Sequence, residues 1–270
     1  MKALPQDTCF DALGREVNLS GMPERIVSLV PSLTELLYDL GLERQVVGIT
    51  KYCVHPPHFL LEKTVVGGTK KVKFPLIEEL QPDFFLCSKE ENTPEMVERL
   101  ERIAPVYVSD VKDYASALSL IEHLGEILNR RTRAQQIIQK IDYEKRRLDE
   151  YLKDLPVLRG MYFIWANPYM AVGGDTFISD MMRLAKIENV LGGQNRYPEV
   201  AIRRIRVLYR PDVFLFSSEP YDFKDEDIYE VMRYNHHTVA IDVDGQYFTW
   251  YGSRMTKAFA YFRKVREKLL

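Results

Sequence analysis

The sequence predicts an α/β protein: two Rossmann-like lobes with parallel sheets, joined by one long backbone helix. Three observations predict it. Gln81-Pro-Asp-Phe-Phe-Leu-Cys-Ser88 returns as Arg210-Pro-Asp-Val-Phe-Leu-Phe-Ser217, each time after a helical pattern closed by Leu80 or Leu208. Between the copies, residues 126–155 contain neither Gly nor Pro, the residues least compatible with a helix interior. Elsewhere short apolar runs alternate with amphipathic segments, the pattern of a parallel sheet covered on both faces. The expected division is an N-terminal lobe over residues 1–130, a connecting helix over 131–155 and a C-terminal lobe over 156–270. Two lobes imply a ligand cleft between them, because small ligands bind preferentially at domain interfaces.

Residues 8–20 read as a hairpin around Asp11-Ala-Leu-Gly14, with glycine near the end of the loop. Arg25 to Val30 is an apolar strand. Ser32 followed by Glu35 has capping-box spacing, so a helix is expected from Pro31-Ser32, with Leu33, Leu36, Leu37 and Leu40 as its buried stripe and Gly41 as its stop. Val46 to Thr50 is a second strand and Phe84 to Cys87 a third. Thr93-Pro94 opens a helix with Met96, Val97, Leu100 and Ile103 on one face. Val106 to Val108 is a strand, and Tyr114 to Leu128 a helix. The connecting helix, capped by Thr132, runs to about Leu155, with Ile137, Ile138, Ile141, Leu148 and Leu152 on its packed side. Strands follow at Gly160–Trp165, Val213–Phe216 and Thr238–Ile241. Helices are expected at Thr176–Ala185, Ile202–Leu208, Asp227–Met232 and Met255–Leu269.

Composition narrows the function classes. Of 270 residues, 46% are hydrophobic and 28% charged, with a net charge of −2, so no global field favours nucleic acid or an anionic membrane. No run approaches the ~18–20 apolar residues of a membrane span, and the first 20 residues carry no apolar segment of signal-peptide length. Three cysteines without a CxxC pair argue against a disulfide framework.

Enzyme signatures are missing: there is no GxSxG, P-loop, GxGxxG or HExxH, and no catalytic residue is assigned. Gly67-Gly-Thr-Lys-Lys71 has the composition of a phosphate loop without its spacing. Gly173-Gly-Asp-Thr176 precedes a helix and reads either as an anion cradle or as a turn plus N-cap. Cys53-Val-His-Pro-Pro-His58 gathers thiolate and imidazole groups, which suit Zn, Fe, Co or Cu, so Cys53 and His55 are candidate contacts to a ligand's metal. No resident metal site is assigned. Residues 157–270 hold 20 of the 31 aromatic residues. Trp165, Tyr197, Tyr221, Trp250 and Tyr251 sit where strands give way to loops, the ends at which parallel sheets bind ligands. Flat aromatic walls suit a large, flat, partly apolar ligand. Arg254, between that last loop and the final helix, offers a fixed cation.

These residues, in this order, resemble a known family. Arg25-Ile-Val-Ser-Leu-Val-Pro-Ser-Leu-Thr-Glu-Leu-Leu-Tyr-Asp-Leu-Gly41, Val46 to Cys53, Leu80 to Asp83, Gly173 to Asp180 with Glu188-Asn-Val190, and Arg210-Pro-Asp212 are similar to segments of the ABC-transporter substrate-binding proteins for vitamin B12, haem and ferric siderophores. The resemblance is nearest to the cobalamin-binding branch and spans nearly the whole chain. It implies a non-enzymatic receptor that hands a metal chelate, cobalamin first and ferric siderophore or haem next, to an ABC permease dimer. It implies that Tyr52, Trp165, Tyr197, Trp250 and Arg254 face the ligand, while Ser32 and Lys70 line the N-terminal wall. No cofactor beyond that ligand, no nucleic-acid partner and a monomeric state are expected.

Two features depart from the family pattern. Its members are periplasmic or cell-surface proteins, whereas this chain shows no export signal. The glutamates that pair with transporter arginines are replaced by Phe74-Pro-Leu76, with Glu78 and Glu79 a turn later, and by Ile202-Arg-Arg204. The alternatives are a cytoplasmic tetrapyrrole-handling enzyme, such as a metal chelatase, a sugar-nucleotide transferase, or a scavenging binder on the same scaffold.

Overall fold

The structure, a computed structural model, describes residues 7–270. It forms two compact units. Unit 1 runs to Val111 and adds Ala115–Lys140 and Tyr251–Arg254; unit 2 comprises Lys112–Tyr114, Ile141–Trp250 and Met255–Leu270. The sequence set the long helix apart as a connector. The compact units divide it at residue 140, and they take in two short segments distant in sequence.

Unit 1 begins with an antiparallel hairpin, β1 (Asp7–Phe10) and β2 (Glu16–Leu19). Then come β3 (Ile26–Ser28), α1 (Pro31–Asp39), β4 (Val46–Thr50), α2 (Phe59–Glu62), β5 (Thr64–Gly67), α3 (Phe74–Glu79), β6 (Phe84–Ser88), α4 (Pro94–Leu100), β7 (Val106–Ser109) and α5 (Tyr114–Ile127). The sheet order is β5-β4-β3-β6-β7, every neighbour parallel. All residues of β3, β6 and β7 are buried, as a sheet covered on both faces requires. Val27, Phe85, Cys87, Val97, Leu100 and Val106 form one core cluster.

After α6 (Arg131–Leu152), unit 2 continues with β8 (Leu158–Trp165), β9 (Met170–Ala171), α7 (Phe177–Leu184) and β10 (Ile187–Asn189). A 3-10 turn, Ile202–Arg204, enters α8 (Ile205–Leu208). The remaining elements are β11 (Val213–Ser217), α9 (Asp225–Met232), β12 (Val239–Val243), α10 (Gln246–Thr249) and α11 (Met255–Glu267). The order β10-β8-β11-β12 is parallel, with β9 antiparallel on β8. Phe163 stacks on Phe216 at 5.0 Å in a core completed by Met161, Ile205, Phe214 and Val231.

The echoed octapeptides do the same mechanical task in both units. Gln81 and Arg210, each just before the proline, adopt left-handed φ values of 44° and 47°, a region uncommon for residues with a Cβ. The aspartate that follows locks the turn onto the neighbouring strand. Asp83 accepts bonds from the amides of Glu24 and Arg25, at 2.7 and 2.9 Å, while Arg25 Nε donates to the Leu80 carbonyl. Asp212 accepts from the Arg159 amide at 2.8 Å, and Arg159 returns bonds to the carbonyls of Tyr209 and Arg210. At the far end of each copy a buried serine, Ser88 or Ser217, accepts the amide two residues on.

The helix α1 starts differently from the expectation. Its N-cap is Val30 and no side chain caps it. Pro31 occupies the first turn, where its missing N–H costs nothing, so Ser32 and Glu35 lie inside the helix and form no capping box. Thr93 and Thr176 are side-chain caps, accepting from Met96 N and Ser179 N at 3.3 and 3.2 Å.

Candidate functional site

In an open parallel sheet, the strand order reverses at one place, and the crevice outside the carboxyl ends of the two strands there is the preferred ligand site. In unit 1 that place lies between β3 and β6; in unit 2 it lies between β8 and β11.

The unit 1 crevice is filled by protein. Asn92 bridges the two strand ends, accepting from Ser88 N at 2.8 Å and donating to Leu29 O at 3.4 Å. Residues 251–254 pack there. Tyr251 is buried and its hydroxyl lies 3.1 Å from Ser109 Oγ. Burial, the leading cause, pushes its phenol up to about 12. Gly252 has φ +91°, a backbone conformation that residues with a Cβ rarely adopt, so the segment turns there on a glycine. Arg254, 5% exposed, makes a two-pronged ion pair with Glu35, at 2.7 and 2.9 Å. The sequence offered Tyr251 and Arg254 as ligand-facing groups. Arg254 instead spends its charge on Glu35, since a buried guanidinium needs a partner, and Tyr251 serves the packing of unit 1. Ser32 is also buried, 3% exposed on the inner side of α1, and so is not an open wall.

The unit 2 crevice is built of aromatic rings. Trp165 ends β8 and remains 41% exposed. Tyr221, just past β11, lies against it with ring centroids 5.2 Å apart, and Phe223 packs behind Tyr221 at 5.0 Å. Tyr221 is oriented by its hydroxyl, which donates to Asp227 at 3.0 Å. That carboxylate, the leading cause, raises the Tyr221 phenol. Tyr197 is half-buried, with the Arg196 guanidinium 5.2 Å from its ring centroid. Trp250, expected as a further wall, is buried, and its Nε1 donates to Glu219 at 2.9 Å. Glu219 also accepts from Thr249 Oγ1. The sequence read Glu35 as a capping residue and did not mark Glu219: each acts through a residue far away in the chain.

Beyond the unit 1 crevice, Tyr52 follows β4 and is 50% exposed, with the Lys51 ammonium 4.9 Å from its ring. Lys70 is exposed and donates to the Glu90 carbonyl. The Gly67–Lys71 segment is a tight turn rather than a phosphate loop: Gly67 has φ +141°, and a Cβ there would sit 2.5 Å from the Lys71 oxygen. The Gly173–Thr176 segment is likewise a turn plus cap, with Thr176 Oγ1 donating back to Gly173 O.

Cys53 does not reach out to a metal. It is fully buried, its sulfur 3.1 Å from Thr34 Oγ1 and 3.2 Å from Thr50 Oγ1. Burial, the leading cause, pushes its thiol up. His55 is half-buried, and neither joins a cluster of metal-ligating groups among the described residues. A cavity of 670 Å³ in unit 2 is lined by charged groups including Lys112, Asp175, Asp180, Arg183 and Glu188. Gly174, Asp175 and Thr176 of the glycine-rich turn line it, but no aromatic side chain does, so it does not suit a flat apolar ligand.

The family described as periplasmic binding protein matches residues 26–238. An ABC transporter substrate-binding lipoprotein of Bacillus subtilis (strain 168), YvrC, is 26% identical over 259 residues, covering 92% of this chain and 81% of that one. A vitamin B12-binding protein of Vibrio vulnificus (strain YJ016) is 27% identical over 205 residues, 74% of each chain. The crystal structure of the periplasmic vitamin B12-binding protein BtuF of Vibrio cholerae shares the fold, with a TM-score of 0.76 at 20% identity over 91% of this chain and 98% of that one.

Proposed function

Because the chain belongs to the periplasmic binding protein family, we propose that it binds a metal chelate, a corrinoid such as cobalamin first and haem or a ferric siderophore next, as the substrate-binding component of an ABC-type importer. The observation that carries this reading is the Trp165–Tyr221 pair at the switch point of unit 2, with Trp165 exposed and Tyr221 half-buried. An exposed indole that is held by a neighbouring ring and not by the core is a preformed platform for a flat ligand. Names among the relatives point to the same ligand class.

Binding by this arrangement needs no proton transfer and no nucleophile. The Trp165 and Tyr221 rings stack on an apolar face of the ligand. For transfer, unit 2 presents Arg203, Arg204 and Arg206 on an exposed segment, so a membrane partner docking there would carry carboxylates, since like charges across an interface repel.

Titration with cyanocobalamin, haemin and a ferric siderophore tests the reading, followed by tryptophan quenching and ligand absorbance. One of the three is expected to bind at micromolar or tighter Kd. Trp165→Ala is expected to weaken it at least about tenfold, since aromatic anchors at binding sites commonly contribute roughly 2 kcal/mol or more. Absence of binding to all three overturns the proposal.

A further inference from the structure

Glu43, in the turn between α1 and β4, His58, immediately before α2, and Glu62, the last residue of α2, converge at the surface of unit 1. One ligand-capable atom from each lies within 4.8 Å of the others. We infer that this trio is a binding site for a borderline divalent cation, Zn²⁺ above all, which clips together the two ends of the segment carrying β4, Tyr52, Cys53 and His55.

Helical geometry brings two of the three groups together. His58 has helical dihedrals, φ −67° and ψ −20°, and its carbonyl accepts the Glu62 amide at 3.1 Å. The two side chains therefore stand at i and i+4 on one face. The third group comes from the other end of the segment. The Lys63 ammonium donates to the Glu43 carbonyl at 2.8 Å and lies 5.1 Å from the Phe59 ring, tying the Glu43 turn to α2 through its backbone while the carboxylate faces His58.

The imidazole is oriented before any ion arrives. Tyr38 and Phe59 meet it edge-on at 5.7 and 5.2 Å, and its Nε2 points at Glu43 Oε1, 2.7 Å away. Zinc binds imidazole nitrogen and carboxylate oxygen at about 2.0–2.2 Å, in sites where three protein ligands leave a fourth position to water. An ion between these atoms would replace the His58–Glu43 hydrogen bond with two coordinate bonds and draw Glu62 inward. The side chains of His58 and Glu43 are 37% and 44% exposed, so rotamer changes suffice. An imidazole among two carboxylates favours zinc, nickel or copper over magnesium and calcium, which prefer all-oxygen sites.

The bland alternative is a surface ion pair with a nearby glutamate, and the two readings differ in what calorimetry sees. The chelator-treated full chain is titrated with zinc chloride by isothermal calorimetry, and Co²⁺ is added separately for its visible spectrum. One zinc site per chain is expected, weakened at least tenfold by His58→Ala and by Glu62→Gln, with no heat from magnesium or calcium. Co²⁺ is expected to give the intense visible bands of low coordination number. His236→Ala with His237→Ala, which removes the two adjacent exposed histidines, is expected to leave the zinc site intact, and circular dichroism checks that each variant folds. No zinc binding, or binding that survives His58→Ala, or binding lost with His236 and His237, overturns the inference. It stands apart from the chelate-binding reading, because the zinc titration contains no corrinoid, haem or siderophore.

Discussion

A guanidinium withdrawn from water must find acceptors, carbonyls for Arg266 and a carboxylate for Arg254, and the Glu35–Arg254 pair shows how far along a chain that requirement can reach. The two residues are 219 positions apart, bonded through both prongs, and nearly inaccessible. Breaking such a pair from one side is costlier than removing both charges together, because the survivor is left buried and alone. Glu35→Ala is expected to destabilise by about 3–5 kcal/mol, seen as a lower urea midpoint. The double variant Glu35→Leu with Arg254→Met is expected to recover most of that loss, and an equal loss in both would refute the account. The thiols give a second check. Cys53 and Cys87 are buried, and burial raises both thiols above their ordinary value, so neither supplies the reactive thiolate. Cys9 is partly exposed. A thiol reagent at mildly alkaline pH is expected to modify one cysteine per native chain and three after denaturation.

Among the elements, the repeated Pro-Asp turns carry the clearest division of labour. Each aspartate satisfies amides at the start of the strand beside it and so sets where that strand enters the sheet. Asp83→Ala and Asp212→Ala are each expected to cost about 1 kcal/mol, below the range for bonds to buried charged groups because both carboxylates are exposed. The two sites share no partner, so their losses should add within about 0.5 kcal/mol in a denaturant series on the double variant. The cap of α7 is simpler: Thr176→Ala leaves an amide of the first turn unpaired and should cost about 1 kcal/mol.

For the molecule as a whole, the buried tyrosines set the alkaline limit. Tyr251 and Tyr169 are pushed up to about 12 by burial, which is the leading cause at both, and Tyr107, Tyr114 and Tyr162 rise further for the same first reason. The folded chain holds these protons more tightly than the unfolded chain, whose phenols titrate near 10. The stabilisation is therefore complete below about pH 10 and is lost as pH rises through the folded values. Unfolding free energy is expected to fall between about pH 10 and 12, with fewer than all 16 tyrosines ionised in the native chain at the start of that window. Full ionisation before any loss of structure, followed by ultraviolet absorbance alongside circular dichroism, would contradict this.

The architecture was legible because it depends on periodicities that neighbouring residues display by themselves. The apolar runs of β3, β6 and β11, the stripe of α1 and the long uninterrupted α6 all lie where the sequence places them. The family resemblance pointed the same way, and the match over residues 26–238 agrees. The short edge strands β5 and β10, and the single-turn helices α2 and α10, escaped notice. Each is too short for a repeat to declare itself, and tertiary contacts hold it in place.

The site was legible only as a set of residue types. Trp165, Tyr197, Tyr221, Trp250 and Tyr251 are all expected at strand ends, yet the structure places Trp250 and Tyr251 after the helix α10 and Tyr197 in the loop beyond β10, and it separates the exposed Trp165 from Trp250 on Glu219 and Tyr251 beside Ser109. The same holds for Arg254 on Glu35 and for Glu43, His58 and Glu62. A repeat of two or of about 3.6 residues is written into adjacent positions. Whether a side chain meets water, a ligand or a buried partner is decided by segments far away in sequence that pack against it, and that information exists only once the chain has folded.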